Sequence, residues 1–358
     1  MSESDVTIDR SARRDPSWPE RVEIYDTTLR DGSHAISHQY YAEDVIKIVA
    51  GLDRAGVQVI EIAHGDGLGG SSFNYGFSAV PEKELIAKAC ETTQNAQIAC
   101  LMLPGIGLAD DLREVNELGV SVARIAVHCT EADITEQHIK VAKDLGMEAI
   151  GFLMMAHMNS PEGLVEQALL MQSYGADTIY IADSAGAMTV DDVRRRVNAL
   201  VTALDIPLGV HAHNNLSMAV ANSIAAYEEG AKNLDGTSAG LGAGAGNCPT
   251  EILAAVSTKY GIETGVDPLV LMDVAEEVVR PIMPRQQVID RAGLLLGYAG
   301  VYGSFLLHAE RAADRYGVPV SEILLELGRR QVVGGQEDMI IDVALELARK
   351  HAEAEVTA

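Results

Sequence analysis

No apolar run in this 358-residue chain is long enough to cross a bilayer. Residues 1–20 are polar and charged and lack the apolar core of a secretory signal. Both absences lead us to expect a cytoplasmic protein. Cysteine is scarce: Cys90, Cys100, Cys129 and Cys248 show none of the short paired spacings of a structural zinc site or a disulfide framework, and are expected as reduced thiols. Positive charge is scarce too. Lys and Arg total 27 against 52 Asp and Glu, a formal net charge of −25. That balance argues against nucleic acid or an anionic membrane as the main partner. It leaves an anionic small substrate open, because one arginine and one metal ion can reverse the field inside a pocket.

What is present is a repeating alternation. Short β-rich runs recur at Val22–Asp26, Val57–Ala63, Gln97–Leu103, Val122–His128, Met147–Met154, Thr178–Ala182, Pro207–His213 and Asn233–Thr237. Helical patterns fill the gaps; Val45, Ile48, Val49 and Leu52 fall on one helical face, and Gly56 stops that helix. Eight strand–helix units imply parallel pairing through right-handed crossovers and an α/β fold, a (β/α)8 TIM barrel over 21–264. An open doubly wound sheet is the competing arrangement. From 265 the pattern is helical without strands. The expected division is a flexible tail at 1–20, the barrel, a C-terminal helical domain at 265–350, and a tail at 351–358. Single helices are expected around Val270–Val279, Leu294–Arg311 and Ser321–Leu327.

In such barrels the chemistry sits just past the C-terminal ends of the strands. Unusual polar residues collect there: Arg30 and Asp31, His64, His128, Asp183 and Ser184, and the pair His211 and His213. Side chains alternate along a strand, so His211 and His213 share a face about 7 Å apart along the strand. Two imidazoles and one carboxylate, with Asp31 the candidate, make a facial triad for a divalent ion. Nitrogen and oxygen ligands without cysteine favour Mn²⁺, Mg²⁺, Fe²⁺ or Co²⁺ over structural zinc. Arg30 beside the triad is suited to charge developing on an oxygen, and His34 to proton transfer. The glycine run Gly240–Gly246 follows a late strand, so it reads as a tight loop over the metal rather than a dinucleotide fingerprint.

These residues also carry a resemblance. Asp26-Thr27-Thr28-Leu29-Arg30-Asp31-Gly32 with His211-Ala212-His213-Asn214 resembles the superfamily of pyruvate aldolases, hydroxymethylglutaryl-CoA lyases and homocitrate or isopropylmalate synthases. Arg30–Ala35, Glu61–Gly70, Leu103–Gly107, Gly300–Leu306 and Val333–Met339 look like the 4-hydroxy-2-oxovalerate aldolases within it. The resemblance covers about residues 20–345. It implies a metal-dependent class II aldolase, usually with Mn²⁺, although Co²⁺ or Mg²⁺ would fit the ligands. Such an enzyme cleaves 4-hydroxy-2-oxoacids to pyruvate and a short aldehyde in bacterial breakdown of aromatic compounds or steroids. By motif position it implies Asp31, His211 and His213 as ligands, Arg30 for the enolate oxygen, His34 as base and Tyr302 as an orienting hydroxyl. It also directs substrate contact to Ser184, His211, Leu101 and Leu103. The implied partner is an acylating, CoA-dependent aldehyde dehydrogenase that receives the aldehyde through a tunnel, for which Gly334 and Gly335 are candidate lining. The alternative within the superfamily is an acyl-CoA condensing synthase or lyase, whose cysteine would fall near Cys248.

Overall fold

The structure, a computed structural model, describes residues 18–357. Most of the expected N-terminal tail therefore lies outside the described residues. Eight parallel strands close into a barrel in sequence order: β1 Glu23–Leu29, β2 Val59–Ile62, β3 Gln97–Met102, β4 Val122–His128, β5 Glu148–Met154, β6 Thr178–Asp183, β7 Leu208–Ala212 and β8 Asn233–Gly236. Closure pairs β1 with β8, Tyr25 opposite Asp235. The barrel helices are α1 Ala42–Ala55, α2 Glu82–Thr92, α3 Ala109–Leu118, α4 Glu136–Asp144, α5 Pro161–Ser173, α6 Val190–Ala203, α7 Ala219–Glu228 and α8 Thr250–Tyr260.

Strand alternation sorts the side chains into two layers. Ile24, Ile60, Ile98, Ala123, Ile179 and Val210 point outward and pack with the helices in one large core. Tyr25, Val59, Leu101, Ile150, Phe152 and Tyr180 fill the barrel interior. Local chemistry fixes the helix ends. α1 stops at Gly56, whose φ of +88° is the left-handed conformation glycine tolerates. Ser160 caps α5 ahead of Pro161, and Thr189 with Asp192 forms a capping box on α6. Gly209 has a steric reason: a Cβ there would lie 2.3 Å from the Tyr180 ring.

Beyond the barrel come α9 Pro268–Asp273, running into a π-helical turn at Val274–Val279, then α10 Arg291–Ala299, α11 Phe305–Tyr316, α12 Val320–Arg329 and α13 Met339–Thr357. Three expectations change here. The barrel does not end at 264, because Leu271, Val274 and Val279 pack in its outer core, with Val274 pressed on Gly51 of α1. A separate second core forms from Leu296 to Ala344. The stretch Leu294–Arg311 is two helices, broken at Gly300, which sits at φ +66° and caps α10. The residues expected as a C-terminal tail continue α13 as far as Thr357.

Asp53, near the end of α1, shows how a crossover is pinned. Its carboxylate accepts from the backbone N–H groups of Ala96 at 2.7 Å, Asn95 at 2.9 Å and Gln94 at 3.2 Å. Burial alone would raise its pKa, but these bonds outweigh it and hold the pKa below the usual value. Its contribution is therefore full above the ordinary aspartate range and lost as pH falls through the depressed pKa. Asp53→Ala should cost about 2–4 kcal/mol of stability, as expected when buried N–H groups lose a charged partner. Urea unfolding at neutral pH checks this, and the wild-type advantage should shrink on acidification.

Candidate active site

The site is assembled by a local break in β1. Its pairing with β2 shifts register between Asp26 and Leu29. Such an irregularity re-aims the residues that follow it: Leu29 joins the outer core, and Arg30, just past the strand, reaches inward to Glu61 on β2. Asp26 anchors the break from outside. It accepts from the Thr28 N–H at 2.9 Å and the Thr250 hydroxyl at 2.7 Å, and burial still lifts its pKa to about 6.

Asp31, His211 and His213 come together as expected from their positions. His211 Nε2 lies 3.4 Å and His213 Nε2 3.6 Å from Asp31 Oδ2, and the two Nε2 atoms are 3.3 Å apart. All three residues are buried. His211 Nδ1 faces Asp235 Oδ2 at 2.7 Å, which fixes the ring and turns the Nε2 lone pair toward Asp31. One carboxylate oxygen and two imidazole nitrogens within 4.8 Å of one another are a donor set that could hold a divalent metal. Burial would raise the Asp31 pKa, but Arg30 and the two histidines hold it well below the usual range. Burial would lower that of His211, yet its bonds to Asp235 and Asp31 raise it. His213 follows burial, and its pKa falls to about 4. The glycine-rich loop does pack over this cluster: the Ala243 N–H donates to Asp31 Oδ1 at 3.1 Å, and Leu241 covers Gly32.

Four charged residues beneath the triad complete a closed circuit. Arg30 donates from Nη1 to Asp31 and from Nε to Glu61 Oε2, both at 2.8 Å. Glu61 also faces Arg124 Nη1 at 3.2 Å, and Arg124 Nη2 donates to Asp235 Oδ2 at 2.6 Å. Asp235 returns to His211, and His211 to Asp31. Arg124 is fully buried, with its guanidinium 4.4 Å from the Tyr180 ring centroid and 4.7 Å from that of Phe152. The sequence analysis passed over Arg124 and Asp235 and cited Glu61 only inside a motif. The available signal was a charge at an inward position of an otherwise apolar strand, as in Val-Ala-Arg-Ile-Ala-Val. Asn247 was not singled out either: its backbone pairs with that of His213, and among the described residues its buried side-chain Nδ2 and Oδ1 have no hydrogen-bond partner.

The other candidates are spread around the mouth. His34 lies in the 3-10 turn Asp31–Ile36, half-buried against Gly65. Leu101 lines the barrel interior, and Leu103 packs against the same inner cluster. Ser184 follows β6 and accepts from the Met155 N–H at 3.1 Å. Tyr302 belongs to the helical region, edge-on to Phe305 and within the field of Cys129 and Glu131 after β4; among the described residues it makes no hydrogen bond to the triad. Gly334 lies beside the Tyr302 ring, 3.8 Å from where a Cβ would stand, and both Gly334 and Gly335 are exposed. His64 and Asp183 serve neighbouring backbone: His64 takes the Asp66 N–H, and Asp183 the N–H groups of Ala187 and Met188. His128 faces the Thr130 hydroxyl at 2.8 Å. All four cysteines are free; burial pushes the Cys248 thiol up to about 12, which leaves it protonated and unreactive.

This barrel with its polar ring matches a known pattern along most of its length. The family described as HMGL-like matches residues 21–278, and the DmpG-like communication domain matches 287–349. A 4-hydroxy-2-oxovalerate aldolase of Carboxydothermus hydrogenoformans is 60% identical over 92% of this chain and 98% of its own length. The aldolase of the same name from Thermomicrobium roseum is 59% identical over 93% of each chain. Among solved structures, the N-terminal domain of a putative aldolase from Bacteroides vulgatus superposes with a TM-score of 0.68 at 22% identity, over 79% of this chain and 94% of that one. The carboxyl transferase domain of Rhizobium etli pyruvate carboxylase, solved with pyruvate and biocytin, gives 0.77 at 16% identity over 92% of this chain and 61% of that one. These two likenesses concern the fold alone. The chain belongs to the HMGL-like family of barrel enzymes and, within it, to the 4-hydroxy-2-oxovalerate aldolases. It is an aldolase, a carbon–carbon lyase.

The ring sets a stability test. Arg124→Met removes one guanidinium and leaves Glu61 and Asp235 buried with a missing counter-charge. The expected loss is about 3–5 kcal/mol, typical of breaking one side of a buried ion pair. Chemical denaturation measures it; a loss under about 1 kcal/mol would overturn the ring as a source of stability.

Proposed function

We propose that this aldolase performs a divalent-metal-dependent retro-aldol cleavage of 4-hydroxy-2-oxoacids, giving pyruvate and a short aldehyde. The observation that carries the reading is the convergence of Asp31, His211 and His213 beside a buried arginine. Asp31, His211 and His213 would hold the ion, Mn²⁺ by family resemblance, with Co²⁺ or Mg²⁺ compatible with the same ligands. When bound, it supplies Lewis-acid polarisation of the 2-oxo group and offsets negative charge there.

The chain's own residues account for the proton and charge movements. His34 is suited to take the proton of the 4-hydroxyl. The C3–C4 bond then breaks, the aldehyde carbonyl forms at C4, and the electron pair of the broken bond runs through C3 and C2 onto the 2-oxo oxygen. Arg30 stabilises that enolate oxygen. Its Nε and Nη1 are committed to Glu61 and Asp31, which fixes the guanidinium plane and leaves Nη2 uncommitted. A proton delivered to C3 completes pyruvate. Burial raises the Tyr302 pKa, so its phenol stays neutral and able to donate a hydrogen bond, and Ser184 adds a hydroxyl at the end of β6. The inert Cys248 disfavours the acyl-CoA lyase alternative, which would need a reactive thiol there.

The helical region is proposed to dock an acylating, CoA-dependent aldehyde dehydrogenase. The communication-domain match supports this, as does the reactivity of a short aldehyde released into solvent. Gly334 and Gly335, next to Tyr302, are proposed to line the aldehyde's path. The metabolic setting proposed from the resemblance is breakdown of aromatic compounds or steroids.

Two sets of variants test the chemistry. With Mn²⁺ present, His34→Ala should lower kcat by roughly 10²–10⁴-fold, and Arg30→Ala by roughly 10²–10³-fold. Exchange of the pyruvate methyl protons, followed by NMR, should vanish in Arg30→Ala. Normal turnover in either variant refutes the assigned role.

The inner face of β3 is proposed to meet the aldehyde portion. Leu101→Ala should shift preference toward longer aldehydes, with each extra methylene changing the relative kcat/KM by about 1 kcal/mol or more. The assay is pyruvate release across a chain-length series of 4-hydroxy-2-oxoacids. An unchanged profile removes Leu101 from the pocket, and absence of any cleavage across the series sinks the functional reading.

A further inference from the structure

A second group of metal-competent side chains lies on the turn that carries His34. His34, His38 and Asp66 each offer a ligand atom within 4.8 Å of the others. Their geometry is held from several sides. A Cβ on Gly65 would sit 2.6 Å from the His34 imidazole, so the glycine lets that ring lie flat on the loop. His38, buried at φ +61°, stands edge-on to His34 with centroids 5.1 Å apart, and its Nδ1–H donates to Ser33 Oγ at 3.0 Å, the Ser33 hydroxyl itself donating to the Arg30 carbonyl. Its other contact is the Tyr75 backbone. His64 stacks on His38 at 3.8 Å. Both His64 nitrogens are used: Nδ1 accepts the Asp66 N–H and Nε2 meets the Gly76 carbonyl, each at 3.1 Å. His64 lies outside the group of three and braces it by stacking on His38, whose Tyr75 contact a bound ion would replace. The His34 imidazole makes no hydrogen bond among the described residues, its backbone carbonyl accepting from the Ser37 N–H. Burial, with neighbouring imidazoles, pushes the His38 pKa down to about 3, so it offers a neutral ring at pH 7.

We infer that His34, His38 and Asp66 form a second divalent-cation site whose occupation inhibits the enzyme by engaging His34. Two imidazoles and one carboxylate suit Zn²⁺, Co²⁺ or Ni²⁺ here as the same donor set does at the triad, so the second site is read from the total of ions bound per chain. A ligated His34 no longer has a lone pair for the substrate hydroxyl. The inhibition thus rests on the proposed role of His34; binding of the extra ion does not.

The experiment uses Mn²⁺-loaded enzyme dialysed against micromolar Zn²⁺ with Mn²⁺ kept in excess. Metal content is read by mass spectrometry and cleavage through pyruvate. Wild type should hold two divalent ions per chain and lose activity as the second enters. Asp66→Asn and His38→Asn should hold one ion and keep basal turnover, bind the second about 10–100-fold more weakly, as when a supporting ligand is lost, and resist inhibition. Asparagine tolerates the left-handed backbone at 38, and Asp66 is partly exposed, so both should fold. Zinc replacing manganese one for one, or entering both variants as in wild type, overturns the site. A second equivalent bound without loss of activity keeps the site and overturns the base role of His34.

Discussion

The interior of this barrel is organised by a closed circuit of charge: Asp31, Arg30, Glu61, Arg124, Asp235 and His211, each touching the next. Burying any one of these groups alone would be prohibitive, and together each charge faces an opposite one, although among the described residues Glu61 Oε1, Arg124 Nε and Asp235 Oδ1 have no hydrogen-bond partner. The consequence is rigidity where function needs it. Arg30 is held by carboxylates on two sides, and His211 is turned by Asp235, so both are oriented before a ligand arrives. Arg124 is itself gripped by the rings of Phe152 and Tyr180, and Tyr180 fits because position 209 is glycine. A packing requirement on β7 thus supports the electrostatics of the site two residues further along the same strand.

The helical region is seated on the same mouth rather than hung beside it. α10 approaches through Gly293 and Gly297. Asn215, two residues after His213, donates to the Gly293 carbonyl at 2.9 Å, and a Cβ on Gly297 would lie 2.7 Å from that of Asn215. At the far end of α10, His157 after β5 bonds the Gly300 carbonyl at 3.0 Å, two residues before Tyr302. Side chains that follow β5 and β7 therefore fix where Tyr302 stands. Movement of α10 would be felt at the loop after His213, because helix and loop touch through atoms with no slack between them.

The barrel was legible because its signal is periodic. Every strand expected from the sequence is present, with ends shifted by a few residues. The triad was legible because His211 and His213 share one strand face and Asp31 ends a motif. Arg124 and Asp235 were not, because a lone charge in an apolar strand says nothing about which of seven other strands answers it; the partners of Arg124 lie 63 and 111 positions away. The break at Gly300 was hidden for another reason. Leu294–Arg311 keeps an apolar helical rhythm throughout, and only the left-handed backbone at Gly300, wedged against His157, interrupts it. The boundary at 265 failed because burial, not periodicity, assigns a helix to a core, and Val274 fits against Gly51 of α1.

The circuit also explains how so acidic a chain can receive an acid. Its three carboxylates and two guanidiniums alone leave the ring one negative charge, and the whole chain carries −25. The proposed 2-oxoacid would bring another negative charge into so enclosed a place. On the proposed function, one divalent cation on Asp31, His211 and His213 would take the sum over carboxylates, guanidiniums and ion from −1 to +1 without moving an arginine. Arg30 could not supply that reversal alone, because its charge is already shared between Asp31 and Glu61. The buried guanidinium is therefore better placed to respond to charge that appears during the reaction than to attract the substrate beforehand. The division of labour follows from the pairing, since a cation with two anionic partners is fixed in direction and weak in long-range pull.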